Sequence, residues 1–155
     1  MRSVAEWFAE YGESHSHPMN KLLHWVCVPL IMLSALGMFG SIPVPAAFGA
    51  RTVWLNWATL VVLLVLLYYV ALSPRLALGI ALAFAALLAI LNVLASLPWP
   101  LLTTSIVIFV VAWIGQFIGH AIEGKRPSFL KDVQFLLIGP LWLVAAVYRG
   151  MGIRY

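Results

Sequence analysis

Charged side chains are scarce in this chain: Asp, Glu, Lys and Arg together make up 9% of its 155 residues. The hydrophobic fraction of 64% and the mean hydropathy of +1.03 lie far outside the composition of a soluble globular domain. This composition predicts an integral membrane protein. Because a helical span needs about 20 apolar residues, the length allows four or five spans and no separate soluble domain.

Cysteine is limited to Cys27, which lies within an apolar run. An intrachain disulfide and a thiolate metal cluster are therefore excluded, and any metal site must use nitrogen and oxygen ligands. The first 20 residues lack the basic start and apolar stretch of a cleavable signal peptide, so the N-terminus is expected to be mature sequence. The net charge of +4 is explained by basic residues beside apolar spans, and nucleic-acid binding is not expected.

Turn residues divide the chain into apolar segments. The predicted spans are residues 22–39, 53–72, 76–97 and 101–121. A last apolar stretch, residues 133–148, is short for a span, and Gly139-Pro140 should kink or break it. This stretch is expected to be re-entrant, interfacial or a bent fifth span.

The N-terminal segment has the pattern of an amphipathic helix. Within residues 2–12, Val4, Trp7, Phe8 and Tyr11 are spaced i, i+3, i+4, i+7. Three of these four residues are aromatic, which favours a helix at the membrane interface, beside the bundle. The predicted fold is therefore all-α and polytopic, one membrane domain over residues 1–155, with an interfacial helix and loop in 1–17 and the helical bundle in 22–148.

The distribution of basic residues predicts the orientation, since Lys and Arg are retained on the cytoplasmic side. One side carries Arg2, Lys21, Arg75, Lys125, Arg126 and Lys131. The opposite loops carry only Arg51. We therefore expect a cytoplasmic N-terminus, in either a bacterial inner membrane or the endoplasmic reticulum.

Histidines are concentrated at the same face. The first predicted span starts there and the fourth ends there, which brings together His15, His17, His24 and His120, all the histidines of the chain. Polar groups at the hydrocarbon boundary are costly unless they pair, face the protein interior or bind a ligand. Each ring alone would be explained by snorkelling or by helix pairing, so it is the cluster that indicates a site.

Helical spacing adds further polar groups to this cluster. Asn20 and His24 share a face at i, i+4, as do Gln116 and His120, and Glu123 follows His120 at i+3. Imidazoles and a carboxylate without thiolate favour a divalent first-row metal, and with open positions they are typical of non-haem Fe(II) oxygenases. Asn20 and Gln116 are candidates to orient ligands or a bound water. Glu123 has the alternative of pairing with a basic residue in a solvated loop.

Two segments carry a family pattern. His15, Asn20, His24 and Pro29 follow H-x4-N-x3-H before a proline, and QFIGHAIEGKRP, residues 116–127, follows Q-F-x-G-H with Glu, Arg and Pro downstream. In these motifs, and in order and spacing over essentially its whole length, the chain resembles a small multispanning membrane family. That family includes the fungal 2-hydroxy fatty acid dioxygenase of the α-oxidation pathway. Gly124-Lys125 stands where a basic pair is commoner.

The resemblance implies an Fe(II)-dependent dioxygenase. Such an enzyme cleaves a 2-hydroxy fatty acid, or an acyl derivative, with O2 and leaves an acid one carbon shorter. The implied iron ligands are His15, His24 and His120, and His17 is a less firm candidate. Glu123 completes the candidate catalytic set. The candidates for binding the substrate carboxylate are Lys21, Lys125 and Arg126. Their positions are also explained by the retention of basic residues on the cytoplasmic side of the membrane.

Two other function classes remain open at this stage. His24 and His120 would be the axial ligands of a membrane haem protein, but Asn20, Gln116 and Glu123 then have no role. A non-catalytic assembly or transport protein would use the histidines only to pair helices, although no internal repeat typical of many transporters is visible. A homo-oligomer is compatible with any of these functions.

Overall fold

The computed structural model describes residues 2–46 and 55–155 of the chain. Within those residues the fold is all-helical, with six α-helices, one 3₁₀ turn and no strand, which confirms the predicted fold class. The elements are α1 (Val4–Glu13), α2 (Pro18–Gly40), α3 (Trp57–Leu72), α4 (Pro74–Ala95), α5 (Leu101–Glu123), the 3₁₀ turn η1 (Ser128–Leu130) and α6 (Phe135–Gly150).

Prolines and capping side chains explain where several helices begin. Pro18 and Pro74 each occupy the first turn of a helix, where the missing N–H costs no hydrogen bond. The preceding residues, His17 and Ser73, accept hydrogen bonds from backbone N–H groups of the first turn. Asn56 caps α3 in the same way. Each helix start is therefore specified locally, by residues visible in the sequence.

Three of the described helices, α2, α4 and α5, are long and apolar enough to cross a membrane. They correspond to the predicted spans 22–39, 76–97 and 101–121. The predicted span 53–72 corresponds to α3, which begins at Trp57, while residues 53 and 54 lie outside the described residues. Both α3 and α6 are apolar but have 16 residues each, about 24 Å of helix against a hydrocarbon core of about 30 Å.

Helix α2 is the centre of the bundle and contacts α3, α4, α5 and α6. Small residues allow a close approach to α5: a Cβ on Gly37 would collide with the side chain of Ser105. The core on the other side of α2 includes the fully buried Tyr69, Leu76 and Leu141. The Tyr69 hydroxyl donates a 2.7 Å hydrogen bond to a backbone carbonyl of α6 and thereby joins α3 to α6.

Helix α6 is continuous through Gly139-Pro140, so the predicted kink or break is not a break. Proline removes one backbone donor from the helix, a cost that tertiary packing can offset. The residues on either side, Ile138 and Leu141, are fully buried. Gly139 instead allows Tyr11 to pack closely against α6, because a Cβ at this position would lie 2.9 Å from the hydroxyl oxygen of Tyr11.

Helix α1 forms as predicted, but its apolar face packs on the protein rather than lying beside the bundle. Trp7 and Tyr11 are buried against α6, where Trp7 meets Phe135 edge to face at a centroid distance of 5.1 Å. A capping box between Ser3 and Glu6 starts the helix. The docking of α1 on α6 directs the following loop toward the start of α2.

A candidate metal centre formed by three histidines

Three imidazole rings from three parts of the chain converge at one end of the bundle. His15 lies in the loop after α1, His24 in α2 and His120 in the last turn of α5. The centroid distances are 4.3 Å between His15 and His24, 4.9 Å between His15 and His120, and 5.2 Å between His24 and His120. All three residues are at most 5% exposed, and one ring nitrogen from each lies within 4.8 Å of the others. This geometry could hold a metal ion.

Backbone carbonyls determine which ring nitrogens are free. The Nδ1 of His15 donates to the Tyr11 carbonyl, and the Nδ1 of His24 donates to the Asn20 carbonyl at 2.9 Å. Because a carbonyl only accepts, each Nδ1 carries the hydrogen and each Nε2 presents a lone pair. These two Nε2 atoms face each other at 2.9 Å. Two lone pairs at this distance repel, and a shared cation would remove the repulsion.

The remaining properties of the histidines also fit a metal ion. The Nδ1 of His120 is buried and has no hydrogen-bond partner among the described residues. The pKa of His15 is lowered to about 3, first by burial and then by its proximity to His24. His15 is therefore neutral at physiological pH, which is the state in which imidazole binds metals.

Aromatic stacking and a serine pair hold the loop that carries His15. The Tyr11 ring stacks on the His15 ring at a centroid distance of 3.9 Å and an angle of 14°. The hydroxyls of Ser14 and Ser128 are 2.6 Å apart and connect this loop to the segment after α5. The ring of Trp142 lies 6.0 Å from His15 on the α6 side. These contacts from outside α2 and α5 help to position His15.

Glu123 binds the same loop and does not join the three rings. Its carboxylate accepts from the backbone N–H groups of Ser16 at 3.0 Å and His17 at 2.8 Å, and also from the Ser16 hydroxyl. The amide of Asn20 donates to Glu123 at 3.2 Å and to the Ser14 carbonyl at 3.0 Å. Asn20 is fully buried and also holds His24 through its backbone carbonyl. Together, Glu123 and Asn20 connect two of the three rings to one network.

A glycine allows this network to reach α5. A Cβ on Gly119 would lie 2.5 Å from the Asn20 Oδ1 and 3.4 Å from both its Cγ and a methyl group of Leu23. Any larger residue would displace the Asn20 side chain from its hydrogen bonds. Gly119 therefore sets the separation of α2 and α5 at the level of the histidines.

The rings open onto a cavity of about 70 Å³ that is partly open to the surroundings. His15, His24 and His120 lie in its wall, and no Asp, Glu, Lys or Arg of residues 2–46 and 55–155 does. The apolar part of the wall includes Val28, Ile31 and Met32 of α2, Phe129 of η1, and Phe135 and Leu136 of α6. The cavity thus combines an imidazole cluster with a hydrocarbon-like surface.

Two polar side chains of α5 face this cavity without a protein partner. Gln116 is buried, lines the cavity one turn before His120, and makes no hydrogen bond within the described part of the chain. The indole Nε1 of Trp113 is buried and likewise has no partner there. Unpaired donors in a buried cavity are costly, which suggests that a ligand completes their hydrogen bonding.

A comparison with known families identifies the family of the chain. A family model described as 2-hydroxy-palmitic acid dioxygenase Mpo1-like matches residues 1–151. The chain belongs to the Mpo1-like family. The membership predicted from the two motifs is thus confirmed, and the family's name is that of a dioxygenase. No curated protein and no solved structure gives a significant match to the chain.

Other candidate residues of this Mpo1-like chain lie away from the rings. His17 is exposed, and its Nδ1 accepts from the Met19 N–H at the start of α2. Lys125 donates to the backbone carbonyl of Glu13. Neither Lys21 nor Arg126 lines the cavity. A carboxylate-binding role for the three basic residues, and a metal-binding role for His17, remain predictions from the sequence.

Sequence reasoning missed three residues that shape the site. Tyr11 is predicted only as part of the apolar face of an interfacial helix, although its position four residues before His15 indicates a possible contact. Ser128 and Phe129 lie in a polar connection that has no periodicity, so no local signal places them beside the rings. Their positions depend on how the connection folds back over α5.

Proposed function

We propose that the protein is an Fe(II)-dependent dioxygenase that shortens 2-hydroxy fatty acids by one carbon. The C1–C2 bond breaks, C2 becomes the new carboxyl carbon and C1 leaves as CO2. One O2 accepts the four electrons, so that 2-hydroxy acid and O2 yield the shorter acid, CO2 and water. Fe(II), when bound, supplies open positions for a chelating hydroxy acid and the redox chemistry for its reaction with O2.

The observation that carries this proposal is the pair of facing lone pairs on His15 and His24. Their tautomers are set by the carbonyls of Tyr11 and Asn20, and His120 adds a third buried ring. The Tyr11 and Asn20 bonds also orient each ring, as outer hydrogen bonds do at metal-binding histidines. The three rings would hold the ion and leave positions on its cavity side.

Side chains around the rings would divide the remaining tasks. Gln116, unpaired and facing the cavity, would hydrogen-bond an oxygen of the substrate head group. Glu123 and Asn20 would keep the His15 loop in place. The apolar wall would accept the acyl chain and exclude water from the reacting carbons.

The proposed location of the site is the cytoplasmic face of the membrane. The predicted orientation supports this, because six basic residues flank the histidine side of the spans and one flanks the other. A site at this depth suits an amphiphile, whose polar head can meet the rings while its tail stays among apolar helices.

A haem is less compatible with the geometry than a single ion is. Axial histidines must lie on opposite sides of a flat macrocycle, whereas the ring centroids of His24 and His120 are 5.2 Å apart and the His15 ring lies within 4.9 Å of both. Three rings that converge on one point leave no space for the macrocycle between them.

The test is the metal content of detergent-purified protein, prepared without oxygen and supplied with Fe(II). We expect about one iron per chain, and loss of most of it in His24→Ala and His120→Ala variants. His17→Ala is the matched control, because His17 is exposed and outside the cluster, and it should keep the metal. Turnover of 2-hydroxypalmitic acid with O2, followed as the acid one carbon shorter and CO2, should show the same pattern.

Two results would overturn the proposal. A folded wild-type protein that binds no iron would leave the rings as a structural cluster. An iron protein that consumes no O2 with any 2-hydroxy acid would exclude the reaction, although not the metal site.

A further inference from the structure

The polar side of the histidine cluster is closed by contacts within the protein. The hydroxyls of Ser14 and Ser128 are 2.6 Å apart, and the carboxylate of Glu123 accepts from two consecutive backbone N–H groups of the His15 loop. Lys125 adds a bond to the Glu13 carbonyl. These contacts join the α1–α2 loop to the segment after α5, so a substrate arriving from water meets a closed surface.

On its other side the cavity extends away from this loop along α2. Its wall includes Val28, Ile31 and Met32, and Met32 lies eight residues after His24. Eight residues of α-helix span about 12 Å, which corresponds to a hydrocarbon segment of substantial length. Since the wall here is apolar and uncharged, this part of the cavity suits an alkyl chain.

The helices beside the cavity leave an opening between them. Both α5 and α6 pack on α2, but they make hardly any contact with each other. Aromatic rings lie across the space between them. Phe129 of η1 meets Trp113 of α5 edge to face at a centroid distance of 4.9 Å and Phe117 of α5 at 6.4 Å. Side chains, and not a helix interface, therefore close the space between α5 and α6.

The border of this opening is apolar and exposed. Leu136 lines the cavity and is 43% exposed, so it lies where the cavity meets the exterior. Phe117 on the α5 side is 50% exposed. In a membrane protein such residues contact lipid, and the cavity would therefore open to the bilayer.

We propose that substrate enters laterally from the bilayer, between α5 and α6, with its alkyl chain in the apolar cavity and its polar head at the histidines. The proposal rests on the proposed function and adds the route by which the substrate reaches the histidines. Phe129 moves aside to admit the chain. The alternative, entry from the aqueous side past the His15 loop, is an outcome of the test.

Two positions on α6 provide a matched pair for this test. Leu136 and Val147 are both apolar and both 43% exposed, but only Leu136 lines the cavity. Each is changed to Cys in a Cys27→Ala background and labelled with a bulky apolar maleimide in detergent. Binding of 2-hydroxypalmitic acid without oxygen, turnover with O2 and iron content are measured before and after labelling.

Lateral entry predicts that labelling the Leu136→Cys variant weakens binding and turnover more than about tenfold, equivalent to about 1.4 kcal/mol, without loss of iron. Labelling the Val147→Cys variant should leave all three unchanged. No effect at either position, or the same effect at both, would overturn the proposed route. Leu136→Trp and Val147→Trp provide the same comparison without labelling if a cysteine variant does not fold.

Failure of the route is distinguishable from failure of the function. If the unlabelled protein has no iron and no turnover, the proposed function fails. A fluorescent long-chain fatty acid then still reports whether the Leu136 label alone blocks the cavity. If turnover is normal and insensitive to the Leu136 label, only lateral entry fails.

Discussion

Replacing Gly119 by alanine should damage the metal centre without touching a histidine. The new Cβ would lie 2.5 Å from the Asn20 Oδ1, so the oxygen must retreat by about 0.9 Å to reach the 3.4 Å of ordinary contact. The Asn20 amide would then lose good geometry with the carbonyl of Ser14, now at 3.0 Å, and with Glu123, now at 3.2 Å.

The expected magnitude follows from these two bonds. Two weakened buried hydrogen bonds cost about 2–3 kcal/mol, and a helical Gly→Ala change returns up to about 1 kcal/mol through its propensity. We therefore expect Gly119→Ala to lower the free energy of unfolding by about 1–3 kcal/mol. Because the Asn20 amide holds the Ser14 carbonyl directly before His15, the affinity for Fe(II) should fall by roughly 10–100-fold.

The assay is thermal unfolding in detergent together with anaerobic Fe(II) titration. Gly12→Ala is the matched control: Gly12 lies in helix α1, and a Cβ there would meet nothing within 4 Å. The control should be neutral or slightly stabilising and should keep its iron affinity. If Gly119→Ala behaves like Gly12→Ala in both measurements, the Asn20 network does not position the rings as described.

Two further substitutions test the network and the core separately. Glu123→Gln should weaken Fe(II) binding by about tenfold, because an amide accepts fewer backbone N–H bonds than a carboxylate. Glu13 is the matched control: its carboxylate is exposed and makes no side-chain bond within the described residues, so Glu13→Gln should keep the affinity for Fe(II). Equal iron affinities in the two variants would contradict the role of Glu123 in holding the His15 loop. Tyr69→Phe removes the 2.7 Å hydrogen bond of a buried tyrosine and should lower the unfolding free energy by about 1–2 kcal/mol without changing iron content. The control Tyr68→Phe changes a less buried tyrosine and should leave the unfolding free energy nearly unchanged. An unchanged melting temperature in Tyr69→Phe would show that the bond does not stabilise the bundle.

The helices were predictable because their signals are local. Apolar runs, and prolines at 18 and 74, locate α2, α4 and α5 to within a few residues. The convergence of His24 and His120 also followed from the sequence, since the order of the spans and the i, i+4 pairs with Asn20 and Gln116 place them on facing helices at the same end. Both inferences use only chain order and helical periodicity.

What the sequence did not predict depends on tertiary contacts. Gly139-Pro140 predicts a kink or break in the helix, yet Gly139 makes room for the Tyr11 hydroxyl. Tyr11 is predicted to lie on the apolar face of an interfacial helix beside the bundle, but it stacks on His15. Glu123 fits the spacing of a ligand and instead binds the backbone of a loop. Helical periodicity indicates which face of a helix is apolar, but not which partner covers that face.

Because α1 helps to position His15, the docking of α1 on α6 and the binding of an ion by the three histidines are thermodynamically linked. One of the three rings is held by α1, through the carbonyl and the ring of Tyr11, and α1 is held by its docking on α6. An ion bound by all three rings would favour the docked state of α1, and a well-docked α1 would raise the affinity for the ion by the same factor. If the proposed ion is bound, its affinity reports the docking of the N-terminal helix, and a terminal fusion that pulls on α1 would lower that affinity.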